Sequence, residues 1–158
     1  MLSEKDKELL VKFLGKVPLF TNFPPEHLVR IIQDFKVVHV KRGDDIVFQS
    51  DEGTDLYIVF RGKVKVSLVS PGGGEFILST LHEGDFFGEM SLIDGRSRSA
   101  TVVAEEDTAL GILRRDRFLS TMKQIPIIAF DLLIALVARL RKADEMIETL
   151  EFLDVNER

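Results

Sequence analysis

The stretch FFGEMSLIDGRSRSAT, residues 86–101, contains the residue types best suited to bind a charged small molecule. Arg98 carries a permanent positive charge on a planar fork that matches phosphate oxygens, and Ser99 adds a small hydroxyl donor. Gly88 lets the backbone N–H groups that follow it approach a ligand closely. A short helical turn beginning there would aim free N–H groups at an anion. Together these residues predict an anion site.

Glu89 requires a separate explanation, because a carboxylate does not bind an anion. Its oxygens are suited to accept hydrogen bonds from a pair of neutral hydroxyls, such as those of a ribose. One acid for sugar hydroxyls and one arginine for a phosphate describe a nucleotide with a single phosphate beside its ribose. The alternative is an internal ion pair between Glu89 and Arg98, and residue chemistry alone favours neither interpretation.

Composition excludes several other kinds of site. The chain has 158 residues, a formal net charge of −5 and no cysteine. The length fits one domain with its own core, and the negative balance does not suit a nucleic-acid backbone. Without cysteine there are no disulfides, thiolate nucleophiles, iron–sulfur clusters or cysteine-bound zinc. His27, His39 and His82 lack metal-ligand spacing, so we expect no metal.

We also expect no enzymatic activity and no catalytic residues. A metal-dependent enzyme remains a weaker alternative, as does a haem sensor with His82 as its axial ligand. The N-terminus is charged from residue 4 and does not resemble a signal peptide. The most apolar run, residues 125–138, is too short to span a membrane. These features predict a soluble, cytoplasmic protein with no membrane partner.

The elements that must position the site follow from changes in the hydrophobic period. Helical spacing predicts one helix over residues 3–15, capped by Ser3, and a second at about 25–34. Short β-rich runs punctuated by glycine predict an all-β roll or barrel over roughly 36–114. The turn glycines expected to need a positive φ are Gly43, Gly62 and Gly84.

Helical spacing returns after Arg115, first in a short helix and then in a longer one with Pro126 in its first turn. The longer helix carries an a/d seam typical of a coiled coil. The seam residues are Leu133, Leu136, Leu140, Ala143, Ile147 and Leu150. A second apolar face, assigned to packing on the β-roll, consists of Phe130, Leu132, Ile134 and Val137. Two apolar faces, one of them in heptads, predict a homodimer.

The stretch FFGEMSLIDGRSRSATVVA closely resembles the phosphate-binding cassette of cyclic-nucleotide-binding domains. The positions that fit the cassette pattern are Phe87, Gly88, Glu89, Ser91, Leu92, Arg98, Ser99, Ala100 and Thr101. The likeness extends over nearly the whole chain. Its ending, LEFLDVNER (150–158), resembles the hinge of the catabolite activator (Crp/Fnr) family of bacterial transcription regulators.

The resemblance implies a mainly β fold with flanking helices: a double-stranded β-helix, or jelly-roll-like β-roll, followed by a long dimerisation helix. It divides the chain into N-terminal helices (1–35), a β-roll (36–115), a short helix with the dimer helix (116–152) and the start of a hinge (153–158). In that family a helix-turn-helix domain follows directly, so DNA contacts would come only from a C-terminal domain absent from this chain.

The family's site roles carry over to matching positions. Glu89 would accept from the ribose 2′-hydroxyl, and Arg98 and Ser99 would hold the cyclic phosphate. The remaining residues expected around the ligand are Gly88, Met90, Ser91 and Ala100 in the cassette, with Val66, Leu81 and Phe86 as apolar walls.

One departure from the family concerns the nucleotide base. Where cyclic-AMP-responsive members present a Thr-Ser pair, this chain has Ala143 and Asp144. Ala143 offers no side-chain hydrogen bond, and an ionised Asp144 can only accept. Asp144 could accept from adenine's amino group or from the adjacent donors of guanine, or it could be a solvated surface acid.

The resemblance therefore implies a regulatory domain that binds a cyclic nucleotide, cyclic AMP first among them, as a regulatory ligand rather than a cofactor. Binding would shift an equilibrium between arrangements of the roll and the dimer helix. Two alternatives stay open. One is a ligand-free interaction module with a structural cassette, and the other is a sensor of cyclic GMP or a cyclic dinucleotide.

Overall fold

The structure, a computed structural model, describes residues 3–157, with side chains as far as residue 154. Its N-terminal helical elements are α1 (Glu4–Lys16), a 3-10 turn (Pro18–Phe20), α2 (Pro25–Ile31) and a second 3-10 turn (Ile32–Asp34). α1 begins where the sequence predicts, because the Ser3 Oγ accepts a hydrogen bond from the backbone N–H of Asp6. The predicted second helix ends in a 3-10 turn that leads directly into the first strand.

Eight strands of the described chain form the predicted β-roll. They are β1 (Phe35–Val40), β2 (Asp45–Val47), β3 (Leu56–Arg61), β4 (Lys63–Val69), β5 (Glu75–His82), β6 (Phe86–Phe87), β7 (Thr101–Ala104) and β8 (Thr108–Leu113). One four-stranded sheet has the order β1-β8-β3-β6 and the other the order β2-β7-β4-β5. Every pairing is antiparallel. The fold class expected from the sequence is confirmed.

The turn between β3 and β4 shows why glycine is needed in this roll. Gly62 has a φ of +102°, and a Cβ there would lie 2.4 Å from the Thr108 Oγ1. The same hydroxyl donates to the backbone oxygens of Lys63 and Glu106, so it has little freedom to move away. The positive φ values predicted at Gly43 and Gly84 are also confirmed.

The core has two parts, one between the helices and the roll and one inside the roll. The larger lies between the helices and one sheet, and its fully buried side chains include Leu14, Phe20, Leu56, Phe118 and Ile128. The smaller lies within the roll and includes Val47, Val59, Val64, Leu81 and Leu110. Each fully buried side chain of this size contributes roughly 1.5–3 kcal/mol to folding. This burial stabilises the strands and helices that carry the site.

Two helices follow the roll, α4 (Arg115–Gln124) and α5 (Ile127–Glu157). The face of α5 that packs on the core consists of Ile128, Leu132, Ala135 and Leu136. These residues recur at helical spacing and form one stripe. The sequence assigned Phe130, Ile134 and Val137 to that face, and this assignment is wrong, because their side chains are 56%, 54% and 48% exposed. Only Leu132 of the predicted set is buried.

Most residues of the predicted a/d seam of α5 are exposed to solvent in the single chain. Leu133, Leu140, Ile147 and Leu150 are all exposed, as is Ala143. Leu136 differs, since it packs partly buried against the chain's own core. An apolar stripe on α5 is therefore exposed in the single chain. It consists of most of the predicted seam together with Ile134 and Val137.

α5 continues without a break from Ile127 to Glu157, so residues 153–157 of the expected hinge are helical; residue 158 lies outside the described residues. The division of the chain into units stays a prediction. Among the described residues, no single helix has the length and apolar composition to cross a membrane. α4 and α5 pass that test only as a pair, which is bent by 115°.

Candidate functional site

The cassette stretch forms a short helix, α3 (Glu89–Asp94), between β6 and β7. Glycines in the left-handed conformation flank it on both sides, Gly88 with a φ of 87° and Gly95 with a φ of 71°. A Cβ on Gly88 would lie 2.6 Å from the Arg98 Nη1 and 2.7 Å from the Asp55 backbone oxygen. The structure therefore shows that Gly88 makes room for Arg98 and the Asp55 backbone, and the approach of a ligand to the following N–H groups stays a prediction.

Arg98 is buried, with only 5% of its surface exposed. Its Nη1 donates to the Gly88 backbone oxygen at 3.2 Å and its Nη2 to the Asp55 backbone oxygen at 2.9 Å. The Nε is buried and has no hydrogen-bond partner. The guanidinium is thus held by neutral carbonyl groups and keeps one donor unused. A buried cation of this kind is a ready partner for an anion.

Aromatic and acidic neighbours shape the electrostatics around Arg98. Burial lowers the pKa of its guanidinium, and the nearby Tyr57, Asp55, Glu89 and Asp51 oppose that effect. The guanidinium carbon lies 5.6 Å from the centre of the Tyr57 ring, which stacks on Phe87 with centroids 4.8 Å apart. Burial also raises the pKa of Tyr57 above its ordinary value. Arginine keeps its charge in such surroundings.

The loop between β2 and β3 holds the backbone of Arg98 in place. The Arg98 N–H donates to the Asp51 oxygen at 2.6 Å, and the Ser50 N–H donates to the Arg98 oxygen at 2.8 Å. Ser50 has a φ of 76°, which costs a residue with a side chain about 1 kcal/mol or more. A Cβ on Gly53 would lie 3.2 Å from the Arg98 Nη2, so this loop closes tightly over the guanidinium. Sequence reasoning missed this support, because it comes from a loop more than 40 residues before Arg98.

Glu89 does not form the internal ion pair with Arg98 that the sequence left open. Its partner is Arg139 of α5, whose Nη1 donates to the Glu89 Oε1 at 2.9 Å. Glu89 is 9% exposed, whereas the Arg139 side chain is 35% exposed, so the pair lies at the edge of the buried region. Glu89 and Arg98 therefore have separate partners. Glu89 pairs with Arg139, whereas Arg98 bonds to backbone carbonyls and not to a carboxylate.

Arg139 makes two further contacts, both with Phe86 at the end of the roll. Its Nη2 donates to the Phe86 backbone oxygen. Its guanidinium carbon lies 4.1 Å from the centre of the Phe86 ring, a cation–π contact. Sequence reasoning missed Arg139. A signal was present, since it lies four residues before Ala143 and so on the same helix face.

The remaining predicted cassette residues divide into buried and exposed positions. Ser91 is buried, whereas Met90 and Ser99 are exposed and contact each other through the Ser99 Oγ and the Met90 Sδ, 3.6 Å apart. Ala100 is half-buried. Thr101 is buried, and its Oγ1 accepts from the Gln49 N–H at 2.9 Å. Thr101 therefore anchors the β2 end to β7.

The three apolar residues predicted as walls lie in different parts of the core. Val66 and Leu81 belong to the cluster inside the roll, on the neighbouring strands β4 and β5. Phe86 belongs to the helix-side cluster and contacts Arg139. The structure therefore brings Val66 and Leu81 together inside the roll. Phe86 is three residues before Glu89 in the sequence, and its ring contacts Arg139 of α5.

Ala143 and Asp144, predicted at the base of the nucleotide, are both exposed on α5. They begin one helical turn beyond Arg139, which contacts the cassette directly. The described residues contain no group of three or more His, Asp or Glu side chains that could hold a metal ion.

The fold and the cassette together define a ligand-binding regulatory domain, and comparison with known proteins identifies its family. The sequence matches the family described as "Cyclic nucleotide-binding domain" over residues 37–125. The "Cyclic AMP receptor protein" of Thermus thermophilus is 38% identical over 141 residues, covering 89% of this chain and 65% of that protein. Human "cGMP-dependent protein kinase 2" is 37% identical over 112 residues, covering 70% of this chain and 15% of the kinase.

Solved structures agree with the sequence matches. The crystal structure of the Thermus thermophilus catabolite activator protein is similar with a TM-score of 0.77 and 39% identity. That match covers 85% of this chain and 63% of the other. The chain belongs to the cyclic-nucleotide-binding domain family and is closely similar to regulators of the catabolite activator type. It spans less than two thirds of the length of these bacterial relatives, and the matching family is a binding family rather than a catalytic one.

Proposed function

We propose that this chain is the sensor domain of a transcription regulator of the catabolite activator type, and that its ligand is cyclic AMP. The observation that carries the proposal is Arg98. Its guanidinium is buried, bound to backbone carbonyls rather than to a carboxylate, and its Nε is unpaired. A cyclic phosphate would supply the missing negative charge and accept a hydrogen bond from the Arg98 Nε.

Glu89 is proposed to receive the ribose hydroxyl. Its carboxylate has two oxygens, and the contact with Arg139 uses Oε1. The burial of Glu89 strengthens any hydrogen bond that it accepts, because water competes less there. Ser99 and the backbone around Gly88 and Ser91 would complete the phosphate site beside Arg98.

Arg139 is the proposed link between the cassette and α5. It contacts Glu89 and Phe86 from a helix whose next turn carries Ala143 and Asp144. A nucleotide that bonds to Glu89 on one side and to this turn of α5 on the other favours one arrangement of roll and helix. Differential affinity for that arrangement is the physical basis of the proposed switch.

A homodimer through α5 is part of the proposal. The exposed stripe of Leu133, Val137, Leu140, Ile147 and Leu150 is apolar over about two and a half heptads. Asp144 lies next to this stripe, so a second α5 would lie close to the proposed base site. Sedimentation of the wild type and of Leu140→Glu tests this point: we expect a dimer and a monomer, and a wild-type monomer would contradict it.

The choice of cyclic AMP rests on similarity to the Thermus thermophilus receptor named for it. Asp144 can accept from the amino group of adenine or from the two adjacent N–H donors of guanine, and the human relative is named for cyclic GMP. Cyclic GMP and cyclic dinucleotides are therefore included in the test. A haem sensor would instead give a coloured preparation.

The test is calorimetric titration of nucleotide-free protein with cyclic AMP, cyclic GMP and a cyclic dinucleotide, with 5′-AMP and adenosine as controls. We expect micromolar or tighter binding of cyclic AMP and much weaker binding of both controls, since neither presents a cyclic phosphate. Tighter binding of another cyclic nucleotide would correct the ligand. Absence of binding by all three, with the dimer intact, would favour a ligand-free interaction module.

A further inference from the structure

The C-terminal end of the cassette helix is held by a side chain from another helix. Arg115, the first residue of α4, donates from Nε to the Leu92 backbone oxygen at 2.6 Å. Its Nη2 lies 3.5 Å from the Ile93 backbone oxygen. The last carbonyl groups of a helix have no partner within the helix. One guanidinium therefore closes the end of α3 opposite to Glu89.

Neighbouring arginines show that this contact is particular to one residue. The sequence RRDR places arginines at 114, 115 and 117. Arg114 pairs with Asp116 at 3.1 Å and Arg117 lies 3.9 Å from Asp34, and both arginines are largely exposed. Arg115 is half-buried, and the bonds described for it run to α3.

The geometry of α3 makes its orientation sensitive to this contact. The helix has six residues, fewer than two turns, so few internal hydrogen bonds resist a tilt. Gly88 packs against Arg98 at one end, and Leu92 is fully buried near the other. A cation at a helix C-terminus also complements the helix dipole. A tilt of α3 about the Leu92 anchor would displace Glu89 and the N–H groups beside it.

We propose that Arg115 is a positioning residue for nucleotide binding: by holding the Leu92 and Ile93 carbonyls, it sets the direction in which α3 presents Glu89 and its first N–H groups to the ligand. This inference rests on the proposed function, because it names a further residue on which the same site depends. Arg115 touches no ligand atom in this account and acts through α3 alone.

The experiment compares Arg115→Ala, Arg115→Lys and the matched control Arg117→Ala in the full chain. Three quantities are measured for each: the dissociation constant for cyclic AMP by calorimetry, the melting temperature without nucleotide, and the backbone amide NMR shifts of residues 88–91. For Arg115→Ala we expect binding about tenfold weaker and shifted amides at 88–91. Lys retains the charge and one donor direction, so it should return the affinity to within about threefold of wild type. Arg117→Ala should bind as the wild type does.

Each outcome decides the proposal. A merely structural role would lower the melting temperature of Arg115→Ala but leave the affinity of the folded protein and the 88–91 amides unchanged, and this result would overturn it. Should the alanine variant fail to fold, Arg115→Gln keeps one neutral donor and is judged by the same affinity and shifts. Wild-type protein that binds no cyclic nucleotide would instead remove the proposed function, and this inference with it. If the wild type binds cyclic AMP and Arg115→Ala binds it equally well, the proposed function stands and only the inference about Arg115 is overturned.

Discussion

The two ends of the candidate site are built in different ways. The cassette end comes from a single stretch of chain, and its charged residues, Glu89 and Arg98, are buried and held by defined partners. The α5 end, Ala143 and Asp144, is exposed and lies on a helix whose apolar stripe is uncovered. The proposed phosphate end therefore has its hydrogen-bond partners within one chain, whereas the proposed base end lies on a helix whose apolar stripe is uncovered.

The largest expected effect belongs to the phosphate end. Arg98→Ala removes a buried charge that we assign to the cyclic phosphate, and losses of this kind cost about 3–5 kcal/mol. We expect nucleotide affinity to fall by roughly two to three and a half decades in a calorimetric titration.

Two variants separate this effect from unfolding. Arg98→Lys keeps the charge but lacks the planar fork whose two Nη atoms donate to the Gly88 and Asp55 carbonyls, so it should bind between the alanine variant and the wild type. Arg96→Ala, an exposed position in the same loop, is the matched control and should bind normally. Normal affinity in folded Arg98→Ala would contradict the phosphate role.

Glu89→Gln should weaken binding by less, by about 10- to 100-fold, because it weakens contacts to neutral hydroxyls worth roughly 1.5–3 kcal/mol. A 2′-deoxy cyclic nucleotide sharpens the test. The wild type should lose affinity for this analogue, whereas Glu89→Ala, which has no side-chain acceptor, should bind the analogue and the normal ligand almost equally well. Equal sensitivity of both proteins to the missing hydroxyl would show that Glu89 is not its acceptor.

Arg139→Ala tests the connection between the two ends. Because the Arg139 guanidinium is partly exposed, its pair with Glu89 is worth about 0.2–1 kcal/mol, and affinity should fall by only about threefold. The response of α5 should be lost, as measured by the change that nucleotide causes in a spin-label distance between roll and helix. An unchanged response in the variant would place the coupling elsewhere.

The smallest effect is expected at the base end. Asp144→Ala removes an exposed acceptor, so affinity for either cyclic AMP or cyclic GMP should change by less than about fivefold. The measurement that matters is the ratio of the two affinities, compared between variant and wild type. A loss as large as that of Arg98→Ala would erase the contrast between the two ends and show that α5 buries Asp144 when nucleotide binds.

Local pattern predicted much of the molecule, and its failures have a common cause. The β-roll over roughly residues 36–114, the turn glycines and the helix cap at Ser3 follow from hydrophobic period and backbone conformation within a few residues. The face of α5 that packs on the core could not be predicted in this way. Apolar residues lie on several sides of the helix, so the local pattern does not distinguish Ile128 and Leu132 from Phe130 and Ile134. Packing against the 3-10 turn Pro18–Phe20 and α4 made that choice.

The chemistry of the cassette follows from residue types alone, because Gly88, Glu89 and Arg98 lie within eleven residues and their types limit what they can bind. Their partners, in contrast, depend on the packing of distant elements. Arg139 comes to Glu89 from 50 residues away, Asp55 comes to Arg98 from 43 away, and Arg115 comes to Leu92 from 23 away. Charge and hydrogen-bonding capacity are properties of a residue, whereas the distance that turns them into a contact is set by how the helices and the roll pack.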